Sequence, residues 1–139
     1  MINVGKSEKL IIVGKSGSGK NFLLEKLITK GLKPSVKWTT RPQRKNEKNG
    51  CEYTFTDNNH FERMIEGDQF LVYQSFKNDV GNLWYYGISK YDFDENQAFI
   101  MTPGELTKLS DFQRKMCFVV YLDIDRSVRE SRLPIREDN

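Results

Sequence analysis

A glycine-rich run near the start of the chain has the residue types and spacing needed to hold phosphate groups. Glycines let the backbone curl so that several N–H groups point at one anion, and a following helix adds its positive N-terminal end. A lysine at the end of such a run can reach the outer phosphates. The run, which matches G-x-x-x-x-G-K, is Gly14-Lys15-Ser16-Gly17-Ser18-Gly19-Lys20-Asn21. We expect a phosphate-binding loop here rather than a plain Gly/Ser turn, because an apolar strand precedes it and a helical pattern follows.

Asn21 stands where such loops usually carry Ser or Thr, whose hydroxyl helps to hold Mg²⁺. An asparagine amide oxygen is also a ligand for a hard cation, although it is a longer group. Asn21 is therefore the candidate metal ligand in this part of the chain.

A second stretch, from Thr39 to Phe55, could bind a second phosphate. Arg41 and Arg44 lie three residues apart beside Pro42, and Tyr53 follows. Arginine offers planar, bidentate donors that suit a phosphate dianion. Taken alone, the stretch could equally be a solvated basic loop or a weak RNA-binding patch, and the solvated loop is the simpler interpretation.

The elements around these residues predict an α/β fold. Apolar runs with strand character alternate with helical patterns at both ends of the chain, while the middle is rich in strands. The expected strands are Lys9–Val13, Val36–Trp38, Tyr53–Phe55, Gln69–Phe76, Leu83–Ile88, Ala98–Met101 and Cys117–Leu122. Helices are expected after Gly19, Asp57, Thr102 and Asp125. This order predicts a parallel sheet flanked by helices, with a mixed segment inserted between its second and later strands.

Composition narrows the function classes. The chain has 139 residues, enough for one domain, and 37% of them are hydrophobic, which argues against global disorder. A net charge of +3 does not require a nucleic-acid or membrane partner. No stretch reaches the length of a membrane span, and Cys51 and Cys117 lack a CxxC pattern. We expect a cytoplasmic protein with small-molecule ligands.

Four separated motifs resemble the guanylate kinase family, in the family's order and at nearly its spacing. After the phosphate loop come T-T-R-x-x-R at 39–44, a glutamate at 47, and N-G-x-x-Y-x-F at 49–55. Y-Y-G follows at 85–87 and R-L-x-x-R at 132–136. The resemblance implies a P-loop NTPase core at 9–34 and 97–139, an acceptor-binding insert at about 35–96, and a lid that begins at about 132.

The resemblance also implies roles for individual residues in ATP-dependent phosphorylation of a GMP- or dGMP-like nucleotide with Mg²⁺. Lys20 would act on the β and γ phosphates. Arg132 and Arg136 would neutralise charge as the phosphoryl group moves. The acceptor's phosphate would be bound by Arg41, Arg44, Tyr53 and Tyr86, with Glu47 supporting the pocket.

The positions at which the family reads guanine differ here. They hold Lys37, Val72, Met101, Pro103 and Ile88, so the resemblance implies a kinase and leaves the acceptor's base open. The chain also ends just inside the lid. We therefore expect a dimer or a loosely folded C-terminal part, with slow phosphoryl transfer.

Two alternatives stay open. One is a related small-molecule kinase, such as an enzyme that phosphorylates ribose bisphosphate, in which a residue without a hydroxyl also follows the loop lysine. The other is a guanylate-kinase-like binding module of a scaffold protein, against which the intact Gly19-Lys20 argues.

Overall fold

The computed structural model describes residues 8–15, 19–51 and 53–123. Its strands are β1 (Lys9–Gly14), β2 (Lys37–Thr39), β3 (Tyr53–Phe55), β4 (Phe70–Lys77), β5 (Leu83–Ser89), β6 (Ala98–Ile100) and β7 (Cys117–Leu122). Its helices are α1 (Lys20–Thr29), α2 (Asn58–Glu66), α3 (Lys90–Glu95), α4 (Pro103–Thr107) and α5 (Asp111–Lys115).

The strands form a parallel sheet and an inserted mixed sheet, which confirms the predicted α/β architecture. The second strand of the chain belongs to the mixed sheet and not, as expected from the pattern, to the parallel one. A parallel sheet has the order β6-β1-β7, and a mixed sheet has the order β3-β2-β5-β4. In the mixed sheet β2 runs parallel to β3 and antiparallel to β5. The chain therefore has an α/β fold in which a mixed sheet is inserted between the first and later strands of a parallel sheet.

Three apolar clusters join these elements into layers. Alternate side chains of β1 point to opposite faces of the sheet, so Leu10 and Ile12 pack towards α1, and Ile11 and Val13 pack towards the mixed sheet. The cluster that includes Ile11 and Val13 also contains residues of the mixed sheet, of β6 in the parallel sheet, and of α3, α4 and the segments next to them: Val72, Ile88, Phe93, Phe99, Met101, Leu106 and Leu109. A third cluster packs α2 against the other face of the mixed sheet. The mixed sheet thus has one face towards α2 and one towards the parallel sheet.

Several details differ from the sequence-based expectations. Strand β2 is shifted by one residue, and helices α3 and α5 were not expected. Each begins at a serine whose hydroxyl caps the first turn, Ser89 for α3 and Ser110 for α5. The helix expected after Asp125 lies outside the described residues. Within the described ranges no helix is both long and apolar enough to cross a bilayer.

Candidate functional site

The phosphate loop lies between the end of β1 and the start of α1. Gly19 has φ of 97°, a left-handed conformation that favours glycine, and it supplies no side-chain cap to the helix. The N–H groups at the start of α1 are therefore not capped by that residue, and they can serve an anion. Ser16, Gly17 and Ser18, which the sequence assigns to the same loop, lie outside the described residues.

Lys20 is the first residue of α1, and its ammonium group donates a hydrogen bond to the carbonyl oxygen of Gly14. Burial lowers the pKa of Lys20 below its ordinary value, and the positive charge of Lys37 lowers it further. Lys20 is thus a partly desolvated cation beside the loop, and Lys37 lies near enough to influence it.

Few side chains at the start of α1 could ligate a metal ion. Asn21, the next residue, is exposed. In the described ranges no three His, Cys, Asp or Glu side chains come together as a metal site. Mg²⁺ that accompanies a nucleotide usually keeps several waters and takes one or two protein ligands plus phosphate oxygens. The Asn21 amide oxygen fits that pattern as a single protein ligand.

Arg41 is the most deeply buried cation of the expected acceptor site in the stretch from Thr39 to Phe55, with 3% of its side chain exposed. Its two terminal nitrogens donate to the two carboxylate oxygens of Glu47, at 3.0 and 2.8 Å. One of these nitrogens also donates to the carbonyl oxygen of Pro42, at 2.9 Å. Burial alone would lower the pKa of Arg41. The hydrogen bonds and charge of Glu47, together with Tyr86, instead raise it above its ordinary value.

Glu47 organises the whole arginine loop. Besides binding Arg41, it accepts a 2.7 Å hydrogen bond from the backbone N–H of Arg44. The side-chain amide of Gln43 donates to the backbone carbonyl of Glu47, at 2.6 Å. The hydrogen bond from Arg41 lowers the pKa of Glu47, and it outweighs the opposing effect of burial. Glu47 therefore stays ionised and fixes the orientation of the Arg41 guanidinium.

Aromatic rings surround Arg41 on the mixed sheet. Its guanidinium carbon lies 5.3 Å from the ring centroid of Tyr53 and 5.7 Å from that of Phe55. The Tyr53 and Tyr86 rings meet edge to face with centroids 5.8 Å apart, and Phe76 stacks on Tyr86 at 5.1 Å. Burial raises the pKa of the Tyr53 phenol, and Tyr86 raises it further. The Tyr53 phenol therefore stays protonated at neutral pH and can donate a hydrogen bond.

The strand register explains why these rings share a face. Paired residues of neighbouring strands point to the same side of a sheet. Thr39 pairs with Phe55 on β3 and with Tyr86 on β5, and Lys37 pairs with Tyr53. Tyr85, one residue away, points to the other face, where it stacks on Phe61 at 4.8 Å and its hydroxyl donates to Glu62.

Five residues are expected to bind the acceptor. The side chains of four of them lie together in the structure: Arg41, Glu47, Tyr53 and Tyr86. The fifth, Arg44, contacts this group through its backbone N–H, which donates to Glu47. Their roles in binding stay predictions, as do those of Arg132 and Arg136, which lie outside the described residues. Sequence reasoning missed Phe55 and Phe76, although Phe55 has the same alternating spacing from Tyr53 that places it on the same face.

Three comparisons with known proteins all find similarity to guanylate kinases. The family model for guanylate kinase matches residues 6–97. Guanylate kinase of Malacoplasma penetrans is 30% identical over 95% of this chain and 70% of its own length. Guanylate kinase of Neisseria gonorrhoeae is 41% identical over 60% of this chain and 40% of its own length.

A solved structure extends the likeness to the fold. The crystal structure of guanylate kinase from Anaplasma phagocytophilum matches with a TM-score of 0.58 and 22% identity, and it covers 82% of this chain and 58% of that one. The chain spans about 40% of the length of the first bacterial relatives it matches. From the extent of the family match and the arrangement of its motifs, this chain belongs to the guanylate kinase family.

Proposed function

We propose that this chain binds ATP at the loop between β1 and α1 and transfers its γ-phosphoryl group to the phosphate of a nucleoside monophosphate. The supporting observation is that a lysine-bearing glycine loop and a buried, carboxylate-oriented arginine occur in one fold. Lys20 belongs to the first and Arg41 to the second, and the strand that carries Lys37 leads directly into Arg41.

The residues of the first site would hold the donor. The backbone of residues 14–21 would bind the β and γ phosphates, and Lys20 would leave its bond to Gly14 to contact them. The Asn21 amide oxygen would help to hold Mg²⁺, which would supply charge neutralisation during transfer. Transfer depends on positioning and charge stabilisation, so no covalent intermediate with the protein is needed.

The residues of the second site would hold the acceptor. Glu47 orients Arg41 through two hydrogen bonds, and the guanidinium N–H groups that neither Glu47 nor Pro42 accepts would donate to a phosphate. The hydroxyls of Tyr53 and Tyr86 would donate to the same anion, and Arg44 would add a second positive charge. Arg132 and Arg136 are proposed to stabilise the charge that develops during transfer.

Product analysis tests the proposal. The protein is incubated with ATP, Mg²⁺ and, in turn, each common nucleoside monophosphate and ribose bisphosphate, and the phosphorylated products are quantified by chromatography. We expect ADP and the acceptor's diphosphate to form in equal amounts. Formation of phosphorylated ribose bisphosphate in place of a nucleoside diphosphate would favour the related small-molecule kinase. Nucleotide binding at the acceptor site without any ATP binding would favour the scaffold-type module.

We also propose a cytoplasmic location, in keeping with the nucleotide substrates. Cys51 and Cys117 are both free thiols, as expected in a reducing compartment.

A further inference from the structure

Thr39, the last residue of β2, is completely buried two residues before Arg41. Its hydroxyl accepts a 3.1 Å hydrogen bond from the backbone N–H of Arg41. The same hydroxyl donates a 2.9 Å hydrogen bond to the backbone carbonyl of Tyr85 on β5. A hydroxyl has one proton to donate and lone pairs that accept, so it can make both bonds at once. The Thr39 side chain therefore joins the backbone at Arg41 to the neighbouring strand.

Thr40 makes a separate connection to the same residue of β5. Its hydroxyl accepts a 2.9 Å hydrogen bond from the backbone N–H of Tyr85, and its own N–H donates to the Tyr85 carbonyl at 3.1 Å. The Tyr85 carbonyl thus has two donors. The backbone N–H of Arg41, by contrast, has the Thr39 hydroxyl as its sole acceptor among the described residues. Loss of that hydroxyl would leave Arg41 with an unpaired, buried N–H, while Tyr85 would keep both of its bonds to Thr40.

The position of the Arg41 guanidinium depends on the backbone beside it. One of its terminal nitrogens donates to the carbonyl oxygen of the next residue, Pro42, so the side chain curls back over its own backbone. Pro42 also restricts Arg41 to extended conformations. Tyr86, the other expected phosphate donor, pairs with Thr39 in register, and its N–H belongs to the same peptide group as the Tyr85 carbonyl. A rotation of the Arg41 backbone would therefore move the guanidinium relative to Tyr86.

We propose that Thr39 is a positioning residue for the acceptor's phosphate, an inference that rests on the proposed function. Thr39 acts through Arg41 and not on the substrate itself. Its hydroxyl fixes the Arg41 backbone against the peptide group that precedes Tyr86. The guanidinium and the phenol, which come from different strands, are thereby held at the separation that lets both donate to one phosphate.

Two pairs of side chains at position 39 isolate the hydroxyl from the packing. Threonine and the variant Thr39→Val have nearly the same shape and differ in the hydroxyl. Thr39→Ser and Thr39→Ala both lack the methyl group, and they too differ only in the hydroxyl. Removing a buried methyl group lowers stability in both members of the second pair, so only the hydroxyl separates them.

Thr40→Val is the matched control. It makes the same exchange at the next residue and deprives the Tyr85 N–H of its acceptor, so it also weakens the link between β2 and β5. The N–H of Arg41 keeps its bond to Thr39 in this variant. A loss of stability without a loss of acceptor binding is therefore expected.

Calorimetry in the presence of ADP measures acceptor binding, at a temperature where urea denaturation shows each variant to be folded. The probe is whichever of GMP, AMP, UMP and CMP binds the unchanged protein most tightly. Thr39→Val should bind it about tenfold more weakly or worse, and Thr39→Ala should fall below Thr39→Ser by a similar factor. Thr39→Ser and Thr40→Val should stay within about threefold of the unchanged protein, and ADP affinity should change by less than about twofold throughout. If Thr39→Val does not fold, the comparison of Thr39→Ser with Thr39→Ala decides.

Several results would overturn the positioning role of Thr39. Equal acceptor affinity within each hydroxyl pair, an equal loss in Thr40→Val, or a parallel loss of ADP affinity would show that the hydroxyl has no specific effect on the acceptor site. In these cases the unchanged protein still binds ADP and a monophosphate, so the proposed function stands. If the unchanged protein binds ADP but none of the four monophosphates, the proposed function fails and this inference fails with it.

Discussion

Arg41 shows how one residue's chemistry depends on a few neighbours. A guanidinium with 3% exposure would be costly alone, but Glu47 takes two of its N–H groups and the aromatic rings cover it. The spacing of the two arginines predicts a phosphate clamp, and the resemblance to the guanylate kinase family implies the supporting glutamate. The sequence could not predict the ion pair between Lys37 and Glu105, whose partners are 68 residues apart and meet only through the tertiary fold.

Removing the charge of Glu47 should destabilise the protein. Glu47→Gln leaves Arg41 buried with a neutral partner, and we expect the free energy of unfolding to fall by about 1–3 kcal/mol. Urea denaturation at neutral pH measures this loss of unfolding free energy. Asp68→Asn is the control, since its ion pair with Lys90 is exposed and asparagine tolerates the positive φ of 54° there. An equal loss in both variants would contradict a special role for Glu47.

The same pair should give a pH dependence. The pKa of Glu47 is lower in the folded protein, so its stabilisation is complete above its unfolded pKa of about 4.3 and is lost as pH falls through the folded value. The difference in unfolding free energy between the protein and Glu47→Gln should therefore shrink as the pH falls below about 5. A difference that is constant over this range would show that the carboxylate charge is unimportant.

Lys20 should matter for ATP far more than another lysine on the same helix. Lys20→Ala removes a charged donor from the phosphate loop, and we expect ATP affinity to fall by about tenfold or more. Lys26→Ala, in the last turn of α1, should bind ATP normally. Calorimetry measures the ATP affinity of both variants. Equal affinities would show that Lys20 of the phosphate loop does not bind ATP.

At the scale of elements, β5 must pass under two stacked rings. Phe61 of α2 and Phe70 of β4 stack with centroids 4.2 Å apart. A Cβ at Gly87 would lie 2.9 Å from Phe70 and 3.0 Å from Phe61. The glycine after Tyr86 is therefore required by packing on the α2 side of the sheet, while Tyr86 itself points to the other side.

Gly87→Ala should consequently destabilise the fold by about 1–3 kcal/mol, because the two rings have to move apart. Ser75→Ala, on the exposed part of the neighbouring strand, should change stability by less than about 0.5 kcal/mol. Thermal and urea denaturation compare the two. A Gly87→Ala variant as stable as the unchanged protein would show that the rings adapt without cost.

The elements were largely predictable because apolar periodicity and capping residues are local signals. All seven strands and the helices α1, α2 and α4 lie within about two residues of the expected positions. The unexpected α3 and α5 are short helices of 6 and 5 residues. Ser110 and Gln113 form a capping box that could have indicated α5. The pairing of β2 with both β3 and β5 depends on contacts between distant segments, which periodicity does not encode.

At the scale of the whole molecule, β7 is an edge of the described parallel sheet and carries large exposed apolar side chains. Phe118 is 55% and Tyr121 62% exposed, and they lie on opposite faces of the strand. Parallel sheets are normally covered on both faces, and uncovered edges tend to pair with other chains.

We therefore expect the 139-residue chain to self-associate through β7. A variant with both Phe118→Lys and Tyr121→Lys should sediment as a monomer at concentrations where the unchanged chain forms dimers or larger species. Phe112→Lys removes a similarly exposed ring from α5 and should leave association intact. Monomeric behaviour of the unchanged chain at all concentrations would contradict this.

The central claim is that two nucleotide sites in this one chain lie close enough to exchange a phosphoryl group. A bisubstrate compound, in which adenosine and guanosine are joined through five phosphates, tests it directly by calorimetry. One molecule should bind per chain, about 10²–10⁴-fold more tightly than ATP or GMP alone, since the second contact becomes intramolecular. Excess ATP and excess GMP should each weaken its binding. If the compound binds no better than ATP and excess GMP has no effect, the chain has a single nucleotide site and the account is wrong.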